Sequence, residues 1–236
     1  MRRRNAIITS LLLLITVAAS VGGLGYALKT VPAFYHDAQE GLACDPMAAA
    51  AVVTRFGDLK NDIRSKTEWG ATFTDAELNA FLQVHLGQEG GFASVVPRGF
   101  HAPRLRILGD RIFLAARYGS GFWSTVLSME MKLWLVKDHT NLVALELCGV
   151  RAGILPVGTQ SILDRISEAS RESNIVITWY RHNGNAVGLC HFYADQPRPT
   201  TQIARFVAAD GKLTIAGRSH LELPQAVPVV VGAEID

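Results

Sequence analysis

Three short segments bring together residue types that nucleophilic catalysis uses: Gly119-Ser120-Gly121, Asp138-His139 and Cys190-His191. A serine nucleophile on a strained strand-to-helix turn needs glycines two positions before and after it. Here those positions are Tyr118 and Phe122, so the segment reads as a turn. Cys190 and His191 could pair as thiol and base only if both side chains faced the same way. Neighbours on a strand face opposite ways. Asp138-His139 falls between two strand patterns and reads as a solvated hairpin turn. The seven histidines lack HxH or HxxxH spacing, so no metal site is expected. Cys44, Cys148 and Cys190 are far apart and form no CxxC. They allow at most one intramolecular disulfide, or buried free thiols acting as small apolar side chains. No cofactor is expected, and no enzymatic role.

The other chemistry on offer is apolar. Between Ser124 and Val136 the residues alternate: Leu127, Met129, Met131, Leu133 and Leu135 take one face, Ser128, Glu130, Lys132 and Trp134 the other. This is a strand with one buried and one wetter side. Two methionines among three leucines make a soft surface that can adapt to irregular partners. These five residues are the candidate ligand-binding set, and plain core packing is the competing reading. Arg104, Arg106, Arg111 and Arg117 on the neighbouring strands could meet anionic head groups or pair with carboxylates.

What holds these strands begins with the N-terminus. Arg2, Arg3 and Arg4 precede an uncharged run of 23 residues from Ala6 to Leu28, closed by Lys29. At 1.5 Å of rise per residue, such a helix covers the roughly 30 Å hydrocarbon core of a bilayer. Arginines beside a first span favour the cytoplasmic side, which places Lys29 to Asp236 outside. A cleavable signal is the competing reading, since Ala18 and Ser20 are small residues spaced as at a cleavage site. The length of the run and Tyr26 at its outer end favour a retained anchor. Cys44 does not read as a lipidated cysteine, because Gly41-Leu42-Ala43 before it lacks the aliphatic residue expected three positions upstream, and because it lies too far beyond the apolar run.

Residues 1–29 thus form the cytoplasmic tip and anchor, 30–44 a linker, and 45–236 one exported domain. Three of the 23 Lys and Arg precede the span, leaving 20 against 21 Asp and Glu, a formal charge of −1. That balance gives no reason to expect nucleic acid as a partner. Asp45-Pro46 marks a helix start, followed by Val52, Phe56, Leu59 and Ile63 on one face. Thr74-Asp75-Ala76-Glu77 has capping-box spacing and starts a second helix, with Leu78, Phe81, Leu82 and His85 or Leu86 on one side and glycines Gly87, Gly90 and Gly91 ending it. Turns at Gly109-Asp110, Asn183-Gly184 and Asp210-Gly211 separate apolar runs of period two. Strands are expected at 105–108, 112–117, 142–148, 175–181, 186–193, 203–207 and 213–218. A third helix spans about 158–171, and 195–201, with Pro197 and Pro199, is a long connection within the sheet. The fold class is α+β, an antiparallel sheet packed with about three helices after the N-terminal apolar helix.

Several segments carry a family likeness. Phe73-Thr74-Asp75-Ala76-Glu77-Leu78-Asn79-Ala80-Phe81-Leu82 resembles the helix opening of envelope-anchored YpmS-like and LmeA-like lipid-binding domains. Arg151-Ala152-Gly153-Ile154-Leu155-Pro156 is similar to their glycine and Leu-Pro step into a helix, and Phe206 to Ile215 to their last strands. The resemblance implies a long curved sheet wrapped about a helix, with an apolar groove for acyl chains and no catalytic residues. Two roles follow: a lipid or apolar-ligand binding domain at the membrane, or a non-catalytic envelope scaffold docking a protein partner through a sheet edge or the Tyr118 to Trp123 loop. A reporter fused after Asp236 is expected to be active only outside the cytoplasm; cytoplasmic activity overturns the orientation.

Overall fold

The computed structural model describes residues 2–40, 45–86, 99–172, 175–193 and 200–220. The chain is α+β, with an N-terminal apolar helix followed by helices and two antiparallel sheets. Helix α1 (Arg2–Lys29) includes the stretch Leu12–Lys29, long and apolar enough to cross a membrane and almost entirely unburied. Among the described residues it is the only such helix.

The last carbonyls of a helix have no partner within it. In α1 they are met by the domain. Ile154 N donates to Ala27 O at 3.0 Å and Thr125 Oγ1 to Leu28 O at 2.6 Å, while the adjoining Thr30 satisfies Tyr26 O locally through its N and Oγ1. Gly153 (φ +62°) makes this approach possible, because a Cβ there would overlap the Ala27 carbonyl oxygen.

The expected linker 30–44 is not a linker throughout, since Ala33–Glu40 forms helix α2. Tyr35 is 1% exposed, packs with Ala115 and Val126, and donates its hydroxyl to Ala102 O at 2.8 Å. Eight residues whose anchoring aromatics, Phe34 and Tyr35, are adjacent in sequence leave no helical period to read. Cys44 lies outside the described residues.

Helix α3 (Pro46–Ser65) starts as expected: Asp45 Oδ1 accepts from Met47 N and Ala48 N, and Pro46 fills the first turn. Val52 and Leu59 are buried, while Phe56 stays half in water and stacks on the fully buried Phe73 at 4.5 Å. Strand β1 (Glu68–Thr74), absent from the expected strands although Trp69, Ala71 and Phe73 alternate with Glu68, Gly70 and Thr72, carries Phe73 and leads straight into helix α4 (Asp75–Leu86). The glycines expected to end α4 lie outside the described residues.

The strands form two sheets, where one was expected. The larger has the order β2 (Phe100–Leu108), β3 (Arg111–Tyr118), β4 (Thr125–Leu135), β5 (Leu142–Ala152), β8 (Asn185–Phe192), β7 (Ile175–His182), with the short β6 (Leu155–Pro156) on β5. The smaller has the order β1, β10 (Lys212–Ser219), β9 (Thr201–Ala209). The connection with Pro197 and Pro199 therefore leads from one sheet to the other, and residues 194–199 lie outside the described set. Two-residue turns with positive φ at Gly109, at Asn183 and Gly184, and at Asp210 and Gly211 close the hairpins as anticipated. Helix α5 (Gln160–Glu172) follows β6.

One face of the larger sheet is covered in two places. Ile107 and Ile112 pack with Ala208 of the smaller sheet and with Leu78 of α4, and Leu147 and Val150 pack with Leu163 of α5. The opposite face receives α2, through Tyr35 and through Phe34 against Phe113.

The capping box at Thr74 is complete. Glu77 N donates to Thr74 Oγ1 at 3.2 Å, and Thr74 N donates to Glu77 Oε2 at 2.9 Å. Arg55 adds an ion pair to Glu77 at 2.9 Å. Partial burial raises the Glu77 carboxyl, but the Thr74 amide and the Arg55 guanidinium outweigh it and hold it below 4.5. A folded-state value below the unfolded one gives stabilisation that is complete above pH 4.5 and disappears as pH falls through the folded value. Thr74→Ala is expected to cost about 1 kcal/mol at neutral pH, and Glu77→Gln should flatten the acid limb of the stability profile. Denaturant melts between neutral and acid pH check both, and an unchanged midpoint for Thr74→Ala removes the cap from the account.

Candidate functional site

Strand β4 runs against β3 without interruption, from Tyr118↔Thr125 to Arg111↔Lys132. Its alternation is therefore kept along its whole length. Against β5 the register shifts by one residue, with Glu130 opposite Gly149 and Met131 opposite Leu147, so that Cys148 is the extra residue of a bulge. The bulge returns both Val150, opposite Met129, and Leu147, opposite Met131, to the same face. That face meets α5, whose residues Ile162, Ile166 and Ala169 recur at helical spacing.

Between them lies a pocket of about 600 Å³, within the range typical of small-molecule sites. Its floor is Leu114 and Ala116 of β3 with Leu127, Met129 and Met131 of β4; α5 forms one wall, and Phe100, His101 and Pro103 of β2 contribute at the edge. The wall is almost wholly apolar, and the cavity is neither sealed nor flat. His101, Ser128, Arg165 and Ser170 are the polar residues among its lining, and Arg165 is exposed.

The five candidate residues divide between two surroundings. Leu127, Met129 and Met131 line the pocket. Leu133 packs instead against the cluster of Ile107, Ile112 and Ala208, beneath the smaller sheet. Leu135 pairs with Val143 at the far end of the strand and is not part of the pocket wall. Met131 touches both buried clusters and marks where core ends and pocket begins. The contribution of α5 was missed in sequence. Its strong amphipathic pattern was legible, but nothing in that pattern distinguishes a helix resting on a sheet from one standing partly off it.

The arginines have mixed partners. Arg106 lies 3.6 Å from Asp75, and Arg111 pairs with Glu130. Arg104 is buried, donates to Pro103 O at 2.8 Å, and leaves Nε without a partner. None of the four belongs to the pocket wall.

The segments with catalytic residue types stay apart. Ser120 caps a 3-10 turn (Gly121–Trp123) without a side-chain hydrogen bond. Cys190 is buried and His191 exposed, on opposite faces of β8. Asp138 and His139 sit in the exposed β4–β5 turn. Among the described residues no three His, Cys, Asp or Glu side chains cluster in a way that could hold a metal ion. No family model, curated protein or solved structure matches the chain.

Cys148 and Cys190 are free thiols. Burial pushes Cys190 up to about 11, and burial with the nearby carboxylates of Glu146 and Glu130 raises Cys148 as well. The thiolate is the reactive form. Both thiols should therefore alkylate slowly at pH 8 in the folded protein and rapidly in denaturant, as read by mass spectrometry of the labelled peptides. Rapid labelling of Cys190 in the folded protein would show a reactive, accessible thiol and reopen a nucleophilic role.

Proposed function

We propose that the protein is a single-pass membrane protein whose α1 crosses the cytoplasmic membrane with its N-terminus inside, and whose outer domain holds a lipid or similar apolar ligand. One observation carries this reading: the pocket of about 600 Å³, walled by Leu127, Met129 and Met131 on one side and by α5 on the other. Apolar walls with a few polar residues suit a ligand with a hydrocarbon body and a polar end. Each methylene moved from water into such a wall contributes about 0.8 kcal/mol, so one acyl chain supplies ample affinity without directed hydrogen bonds. Methionine at two of the three β4 positions favours a site tolerant of chain length and unsaturation.

The short likeness to YpmS-like and LmeA-like domains points the same way, since those pair an N-terminal span with an acyl-chain groove. The role is one of binding rather than catalysis, and it uses no cofactor and no nucleic acid. A scaffold role in the cell envelope is the second reading. Its motive is the exposure of Phe122 and Trp123 in the loop after β3, at 78% and 86%.

Ala169 on α5 faces the pocket and is only partly exposed. Ala169→Trp places an indole in the ligand's space. A clash of about 1–3 kcal/mol with an occupied pocket corresponds to roughly tenfold or greater loss of occupancy. Mass spectrometry of lipid carried by the full-length protein is expected to find acyl lipid on the wild type and little on Ala169→Trp, with the thermal melt of the domain retained. A folded variant carrying wild-type amounts of lipid removes the pocket from the function, and a wild type carrying none removes the ligand.

A further inference from the structure

The end of α1 is surrounded by large apolar side chains that the fold does not bury. Phe122 and Trp123 stand out from the turn after β3, and Ile154, in the turn between β5 and β6, is 55% exposed. Isolated apolar residues on a surface need no explanation. These are not isolated, because each is joined to the same helix end. Lys29 Nζ donates to Ser124 O at 2.8 Å and to Phe122 O, and it lies 5.0 Å from the centre of the Phe122 ring. Phe122 and Trp123 meet edge to face at 5.4 Å. Ile154 N donates to Ala27 O. Tyr26, one turn earlier on α1, is 75% exposed.

We propose that Phe122, Trp123 and Ile154 form a second membrane contact, entering the interfacial layer of the bilayer that α1 crosses. This rests on the reading of α1 as a span. Lys29 is the first charged residue after the apolar run, and an amine at the end of a span sits at the boundary between hydrocarbon and water. Hydrogen bonds from that amine fix the Gly121 to Ser124 backbone at the same depth. Trp and Tyr favour this layer, where an amphipathic ring can lie against hydrocarbon with its polar edge wet. Tyr26 completes a girdle around the helix end.

The contact also orients the pocket. Its floor begins at the pair Ala116↔Leu127, two residues from the pair Tyr118↔Thr125 that closes the sheet beside α1. At about 3.4 Å per residue that is roughly 7 Å. The pocket thus starts at the bilayer end of the sheet, and an acyl chain exchanging between membrane and domain has a short path through water.

The test uses the full-length chain reconstituted in phosphatidylcholine vesicles, with or without bromine on the acyl chains near the glycerol end. Trp69 is buried, and Trp134 and Trp179 are partly buried in the domain, so the bromine-sensitive share of the fluorescence is assigned to Trp123 by comparison with Trp123→Phe. Brominated lipid is expected to quench the wild type, and Trp123→Phe to lose most of that quenching while still floating with the vesicles. Equal quenching in the two proteins, or none in either, with both afloat, overturns the contact and leaves the loop as a surface for a protein partner. A wild type that does not float with vesicles removes the span, and with it this contact, whatever lipid the pocket carries.

Discussion

The arrangement depends on how the last carbonyls of α1 are satisfied. An apolar helix that ends in water can have its terminal C=O groups hydrated and its following chain free to swing. Here Ala27 O and Leu28 O accept from Ile154 N and Thr125 Oγ1, and Lys29 reaches back to the carbonyls of Phe122 and Ser124. These partners come from two loops at one end of the larger sheet. The domain therefore acts as the C-cap of the apolar helix. Gly153 is the condition for this: with φ of +62° and no side chain, it admits the helix backbone where any Cβ would meet it.

A second constraint separates the two sheets and leaves room between the coverings of the larger one. Each sheet has an edge strand whose free backbone groups would otherwise invite pairing. Buried asparagines occupy both places. Asn79 on α4 accepts from Leu105 N at 2.7 Å and donates to Leu105 O at 2.6 Å, imitating a neighbouring strand on β2. Asn141, in the β4–β5 turn, does the same for β9, accepting from Ile203 N and donating to Thr201 O, both at 2.7 Å. Amide side chains suit this because each carries one acceptor and two donors. With α4 fixed on β2 and β9 fixed to the β4–β5 turn, the smaller sheet covers only that end of the larger one. The other end is left to α5, and the pocket lies under that helix.

Local signals made much of this legible in sequence. Asp45 and Thr74 cap the helices they were expected to cap, the three two-residue turns close hairpins, and the alternation through β4 holds because its extra residue falls in β5 rather than in β4. What could not be read depends on distant partners. Strand β1 alternates Trp69, Ala71 and Phe73 with Glu68, Gly70 and Thr72, but it is short and runs directly into the Thr74 cap, and it is β10 that gives it an edge to pair with. Helix α2 is held by contacts with β2, β3 and β4. The division of the Leu127 to Leu135 stripe into pocket wall and core follows from where Ala208 and α5 come to rest. Residues on one strand face are equivalent to any rule of period two, and only the covering elements distinguish them. Asn79 stood inside the segment that carried the family likeness, yet its partner on β2 is 26 positions away and leaves no local trace.

The stripe also bears on why α5 stands off the sheet at all. In engineered core voids the cost is about 24 cal/mol for each Å³. A closed void of the pocket's 600 Å³ would on that scale cost roughly 14 kcal/mol, comparable to the whole stability of an ordinary domain. A sequence under no other requirement has an inexpensive remedy, since larger side chains in place of Ala116 and Ala169 would take up part of the space. Instead the wall has alanines where bulk would close it and methionines where flexibility would adapt it. The cavity is not sealed, so water can enter it, but an almost wholly apolar wall gives that water few partners. The filling that matches such a wall is hydrocarbon. On the proposed reading of α1 as a span, a hydrocarbon ligand is most available at the surface of the membrane that the helix crosses.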